Sequence, residues 1–390
     1  MERKFSSNTD ISLNNLSACT ISVMQRDGKK LDSETQTIQV TKPNAPAATA
    51  QNCINGNDGK LTGVNNTMEY RSSGAGSWIA IDGSEVPGLA AGSYEVRYKA
   101  NGNALASAPQ TVTIGSYAAQ LTKSNNDVSY YDSLKAAVDA ATSNSGSTVK
   151  LLQNIKVEAY SLGIIGCKNP FTIDLNGKTL STDIDPTAQP GNLVFYLKNN
   201  DAPLTLINSA STQAVIKSQR AFHVERCGSV IIGNSDGSGS NIKFDLSTML
   251  ATGSAGNTGS ITIYGGTFEC PVNVSTVVNA GVSKVTLYGG TFSKIGVAAP
   301  ATLVDTLAEG YAYKDNTNNW VNNPNGNSLT EVTVQKAPVQ NLSVTAPAET
   351  VYGQPVSITA SPTLLNSSSE VSYKWYQGNT EIVRCQRIRL

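Results

Sequence analysis

Two eight-residue runs, Ile261-Thr262-Ile263-Tyr264-Gly265-Gly266-Thr267-Phe268 and Val285-Thr286-Leu287-Tyr288-Gly289-Gly290-Thr291-Phe292, lie 24 residues apart and differ only by swaps among apolar side chains. They are the clearest members of a degenerate repeat. Strands starting at Ile173, Leu204, Val230, Ile261 and Val285 follow one another at spacings of 31, 26, 31 and 24 residues. Two positions on, each start is followed by a second apolar residue: Leu175, Leu206, Ile232, Ile263 or Leu287. Between the two stands Asp174, Thr205, Ile231, Thr262 or Thr286, and four positions after the start comes Gly177, Asn208, Asn234, Gly265 or Gly289.

Each part of the pattern has a physical cause. Side chains alternate across a strand, so two inward residues flanking an outward one make one short strand. Gly or Asn at a fixed offset suits a sharp corner in the left-handed backbone region. Coils of 24 to 31 residues with irregular insertions predict a parallel β-helix and not a leucine-rich repeat. The strand Val149-Lys150-Leu151 reads as the first coil, and Leu193–Leu197 and Ala221–Val224 as further strands within coils. Six or so coils at strand spacing predict a rod of roughly 30 Å. Phe268 and Phe292 recur at one coil position and read as a core ladder.

One segment has helical spacing. Leu134, Ala137, Val138 and Ala141 fall at i, i+3, i+4 and i+7, with Asp132 or Ser133 as N-cap and Gly146 after the end. A helix this short is not stable alone, so it is expected to cover the open edge of the first coil. At the far end, Gly310–Asp315 and Trp320-Val321 predict a closing hairpin.

The flanks alternate as strands do. Residues 1–44 read as end strands of a preceding β module, with a hairpin at Asp27-Gly28-Lys29-Lys30. Residues 45–116 read as a small β-sandwich, with Tyr94, Val96 and Tyr98 on one face. The capped parallel β-helix is assigned to 128–321, a polar linker to 322–340, and a truncated sandwich to 341–390. Both ends read as cut, because too few strands precede the first linker and too few follow Trp375. The fold class expected is therefore all-β: a right-handed parallel β-helix with an N-terminal capping α-helix, flanked by β-sandwich modules.

Composition narrows function. Only 15% of residues are charged and 29 basic residues offset 29 acidic ones, so no basic footprint for nucleic acid exists. No run approaches the roughly 20 apolar residues of a membrane span, and the start Met1-Glu2-Arg3-Lys4-Phe5 lacks an apolar signal-peptide core. Six cysteines show no CxxC spacing and read as buried or incidental thiols. With His223 as the single histidine, His-based metal sites are excluded, and no cofactor or metal is expected.

Three stretches carry resemblances. The run Gly88-Leu89-Ala90-Ala91-Gly92-Ser93-Tyr94-Glu95-Val96-Arg97 resembles fibronectin type III-like modules of bacterial surface proteins. Tyr373-Lys374-Trp375-Tyr376-Gln377-Gly378 resembles strand C of immunoglobulin-like domains, where the indole packs the core. The coil repeat resembles pectate lyases and polygalacturonases. In sum, the order of modules, with the close at Leu307–Asp315, resembles modular surface proteins of Gram-positive, gut-dwelling bacteria. That resemblance implies secretion and a place at the cell surface or wall.

A lyase of that kind needs clustered carboxylates for calcium and an Arg or Lys base; a hydrolase needs close acid and base carboxylates. The candidates are His223 with Glu225 beside Arg226, outward on a strand whose Phe222 and Val224 point inward, and Asp183 with Asp185 in a loop. The reading favoured for each is solvated surface. Tyr264 and Tyr288 recur at one coil position and are glycan-contact candidates or part of a structural ladder. The function expected is a non-catalytic, rigid spacer with an adhesive or glycan-binding surface. The alternative is a polysaccharide lyase or glycoside hydrolase. Partners expected are extracellular glycans or a host or wall surface, with no nucleic acid and no membrane insertion.

Overall fold

The structure is a computed structural model that describes residues 17–26, 29, 31–158, 161–182, 192–225, 229–253, 259–273, 282–297, 302–321, 327–349, 358–364, 376–377 and 379–381. The chain divides into two compact units, Met1–Tyr117 and Ala118–Leu390.

In the first unit Cys19–Val23 pairs antiparallel with Gln36–Val40, Ile21 opposite Ile38. Most of the turn expected at 27–30 lies outside the described residues. Thr49–Gln51, Gly59–Thr62 and Glu85–Leu89 form a three-stranded sheet. Ile79–Ala80, Met68–Ser72, Gly92–Tyr98 and Gln110–Ile114 form a four-stranded one. Side chains from both, including Leu61, Met68, Val96 and Ile114, meet in one core. Tyr94 points inward, as its alternation requires, and its hydroxyl donates to the Ala90 carbonyl at 3.0 Å.

The second unit is all-β apart from one described α-helix, and its centre is a β-solenoid of about four turns. In one sheet Ser147–Leu151, Phe171–Asp174, Leu204–Ile207, Ser229–Ile232, Gly259–Ile263 and Val282–Leu287 stack in parallel. In the other, Thr179–Ser181, Ala214–Glu225, Ile242–Gly253, Thr267–Asn273 and Gly290–Gly296 do the same. Leu193–Lys198 lies parallel beside the second half of Ala214–Glu225. Antiparallel strands, not more coils, finish each sheet: Ala119–Thr122 with Val128–Tyr131 on one, Ser328–Lys336 with Tyr311–Lys314 on the other.

The inward pairs behave as the repeat predicts. Ile173, Leu204, Leu206, Val230, Ile232, Ile261, Ile263, Val285 and Leu287 are all buried. The alignment itself needs one correction. Phe171, not Ile173, stands opposite Leu204, so Thr172 and not Asp174 belongs to the outward middle row. A two-residue shift leaves every side chain on its original face, which is why alternation alone does not reveal it.

The corners also differ from expectation. Of Gly177, Asn208, Asn234, Gly265 and Gly289, only Gly177 has positive φ, at 69°. The left-handed residues of the later corners are Gly266 and Gly290, at 116° and 115°. Gly265 and Gly289 are needed for space: a Cβ on Gly289 would lie 2.3 Å from the Tyr264 carbonyl oxygen, and one on Gly265 2.5 Å from Ser240 Oγ. Asn208 is buried and works through its side chain. Its Oδ1 accepts from the Gly177 N–H at 2.7 Å, and its Nδ2 donates to the Thr212 and Asn241 carbonyls, both at 2.8 Å.

Phenylalanines form the spine of the core. Phe244, Phe268 and Phe292 are fully buried and stack at 4.7 and 4.9 Å between centroids, with planes 6° apart. The helix Leu134–Thr142 starts at Ser133, whose Oγ accepts from the Ala136 N–H, and Leu134, Ala137, Val138 and Ala141 enter the same core. Residues 322–340, expected to be a linker, contain the strand Ser328–Lys336, which buries Val332 and Val334 on the free edge of Gly290–Gly296. An alternating stretch next to an unpaired edge gains hydrogen bonds by joining it. Farther on, Val339–Thr345 pairs with Thr359–Leu364. Trp375 and most of its strand lie outside the described residues.

Truncating Phe268→Ala removes the middle ring of the stack and is expected to cost about 3–5 kcal/mol. Asn208→Ala removes its hydrogen bonds to Gly177, Thr212 and Asn241, which tie adjacent coils, and is expected to cost about 1–3 kcal/mol. Urea denaturation of each variant checks both; a loss under about 1 kcal/mol for Phe268→Ala would place that ring outside the core.

Candidate functional site

The long strand Ala214–Glu225 carries the main sequence candidates. Phe222 and Val224 point inward and are buried, so alternation puts His223 and Glu225 on the outer face, partly exposed. The neighbouring strand Leu193–Lys198 runs in register, with Tyr196 opposite His223 and Lys198 opposite Glu225. The Tyr196 and His223 rings stack with centroids 5.5 Å apart.

Glu225 holds this cluster together. Lys198 Nζ sits 2.9 Å from its Oε1, and the Tyr196 hydroxyl donates to its Oε2 at 2.5 Å. The Tyr196 hydroxyl is accordingly harder to ionise, first because of that hydrogen bond and then because of burial. Lys198 is pushed up by the same carboxylate. His223 moves the other way: burial lowers its pKa, Arg220 lowers it further, and Glu225 opposes both as the smallest influence. Each Glu225 oxygen accepts from the adjacent strand, so the carboxylate forms a cross-strand tie.

The other candidates separate. Asp183, Asp185 and Arg226 lie outside the described residues. Among the described residues, no three His, Cys, Asp or Glu side chains gather closely enough to hold a metal ion. Of the cysteines, Cys53, Cys167 and Cys270 are buried free thiols and Cys19 is partly exposed. Burial pushes the Cys270 thiol up to about 12, so it has no thiolate character at neutral pH.

Tyr264 and Tyr288 form the second feature of the outer surface. Both are partly exposed at the corner after their strands, and their rings stack at 4.7 Å. Tyr311, which the repeat does not mark, meets Tyr288 edge-on at 5.4 Å and extends the row to three rings. The only sequence sign of Tyr311 was its place in the Gly-Tyr-Ala-Tyr run after the last coil. The faces of Tyr264 and Tyr288 are thus turned to each other, and all three residues remain partly exposed.

Other outward groups read as surface ties. Lys243–Glu269 and Lys217–Asp245 bridge successive coils at 2.7 and 3.7 Å. Pairs as exposed as these contribute about 0–1 kcal/mol. In the first unit the Trp78 ring lies under Arg71 and Arg97, at 4.4 and 3.9 Å, and those arginines pair with Glu95 and Glu69. No helix of the described residues is long and apolar enough to cross a membrane.

Because His223 is the single histidine, one imidazole resonance reports on this cluster. Its NMR midpoint is expected below the ordinary 6.5. The sign for stability follows: with the folded pKa depressed, the unfolded chain binds the proton more readily, so stability present above about pH 6.5 falls as pH drops through the folded midpoint. In a His223→Gln variant that part of the acid sensitivity is expected to vanish. A midpoint above 6.5 would instead show that Glu225 dominates the imidazole.

Comparison with family models, with curated proteins and with solved structures yields no match.

Proposed function

We propose that this chain is a non-catalytic segment of a secreted cell-surface protein, a rigid spacer that presents a glycan-binding or adhesive surface. In this reading the solenoid is right-handed, the usual hand for parallel crossovers. The helix Leu134–Thr142 caps its first coil, and the strands before and after belong to fibronectin III-like and Ig-like sandwiches. The observation that carries the reading is the outward row Tyr264–Tyr288–Tyr311 on a stacked, rigid frame. Aromatic rings with a polar tip suit partners that offer C–H faces and hydroxyls together, as sugars do. A stiff solenoid also holds such rings in place, so little ordering cost accompanies binding.

The rival reading, a β-helix lyase or hydrolase, finds less support. Its best described candidates, His223 and Glu225, are engaged with Tyr196, Lys198 and Arg220 in a cross-strand cluster. A glycan array with parallel product analysis separates the two. Binding without cleavage is expected, weakened about tenfold by Tyr264→Ala or Tyr288→Ala, which corresponds to about 1.4 kcal/mol. Cleavage of acidic glycans that disappears in His223→Ala or Glu225→Ala would overturn the non-catalytic reading.

A further inference from the structure

The corrected register of the first sheet reveals a second surface row. Thr148, Thr172, Thr205, Ile231, Thr262 and Thr286 are direct neighbours on six successive parallel strands. All six alternate with buried residues and so face outward, and all are partly exposed. We infer that this row is a docking track for one extended, uncharged polysaccharide chain lying along the solenoid axis.

Four observations support that occupant. First, none of the five threonine hydroxyls forms a hydrogen bond to another described residue, and each of these side chains is partly exposed. Second, their spacing is that of parallel strands, roughly 4.8 Å, and a β-branched side chain is stiff about its first torsion. The row therefore repeats one methyl and one hydroxyl along a fixed line. A partner that fits has to repeat as well, at a similar interval and with alternating apolar and hydroxyl surface, which is the chemistry of a glycan chain.

Third, the row itself carries no charge; Lys150 and Lys284 flank its first and last members, and an uncharged partner suits the stretch between them. Fourth, Tyr264 and Tyr288 stand two residues beyond Thr262 and Thr286, at the corner just after those strands, so the tyrosine row borders the end of the threonine row. Ile231 is the one interruption, and it presents methyls where its neighbours present methyl and hydroxyl. This inference rests on the glycan-binding reading above and adds to it a class of ligand, a direction and a longer track.

The test uses the full chain and insoluble neutral polysaccharides, namely cellulose, chitin and a β-1,3-glucan, with soluble polygalacturonate as the charged comparison. Thr172→Val with Thr205→Val removes two hydroxyls at nearly constant shape, three or more strands' remove from Tyr288 in the stacking order. Retention on at least one neutral glycan is expected to fall about tenfold in that variant, while its urea midpoint stays where it was. Thr205→Arg, which adds bulk and charge to the track, is expected to abolish retention. Binding that is lost in Tyr264→Ala but unchanged in both threonine variants would overturn the track and leave the tyrosine site standing. Stronger retention of polygalacturonate than of every neutral glycan would overturn the neutral class. No retention of the unaltered chain on any of the four would remove the glycan-binding reading itself, and the track with it.

Discussion

The parallel hydrogen-bond ladder between coils is the constraint on which the rest of the second unit depends. It fixes the axial spacing, and everything stacked on it inherits that spacing. The Phe244–Phe268–Phe292 column stacks at 4.7 and 4.9 Å because the backbone places equivalent residues one strand apart. Tyr264 and Tyr288 stack at the same distance on the outside for the same reason. Inside, the contact excludes water and stabilises the core. Outside, the same geometry leaves the stacked rings partly exposed.

Corners make that ladder possible, and they use two kinds of chemistry. In the later coils, glycine pairs do it with backbone: the second glycine takes positive φ, and the first lets the preceding coil pass close by. In the earlier coils, where Gly177 and Gly233 also take positive φ, polar side chains add to that role. Asn208 joins the backbones of adjacent coils, and buried Asp174 accepts from the N–H groups of Asn176 and Ser209 and from the Ser209 hydroxyl. Those buried acceptors and donors are satisfied, so they stabilise the corner instead of marking a site. An Asn- and Ser-rich composition in this unit is thus largely structural.

The outer surface divides by the same logic. The His223 cluster has varied chemistry, yet its members are directed at one another across two strands. Two rows carry groups turned outward instead: the tyrosines at the corner and the threonines along the first sheet. Repetition is what distinguishes them. A catalytic centre concentrates unlike groups at one point, whereas these rows distribute like groups along a line, as a surface for an extended partner would.

Much of this was legible in the sequence. The inward apolar pairs, the helix with its buried face Leu134, Ala137, Val138 and Ala141, and the recurrence of Phe268 and Phe292 all follow from side-chain periodicity, a local property. The threonine row was legible only in part: Thr205, Ile231, Thr262 and Thr286 stand in the repeat, but Thr172 joins them only where Phe171 meets Leu204, and a shift by two residues changes neither face nor pattern. The strand Ser328–Lys336 was missed for a related reason: only the free edge of Gly290–Gly296 makes a strand of it. Nor did the outward position of Glu225 disclose that Lys198 and Tyr196, 27 and 29 residues earlier, take up its oxygens. Periodicity therefore determined which way each side chain points. Tertiary structure alone decided which side chains became neighbours, since coil length between strands is irregular and only the hydrogen-bonded stack sets the pairing.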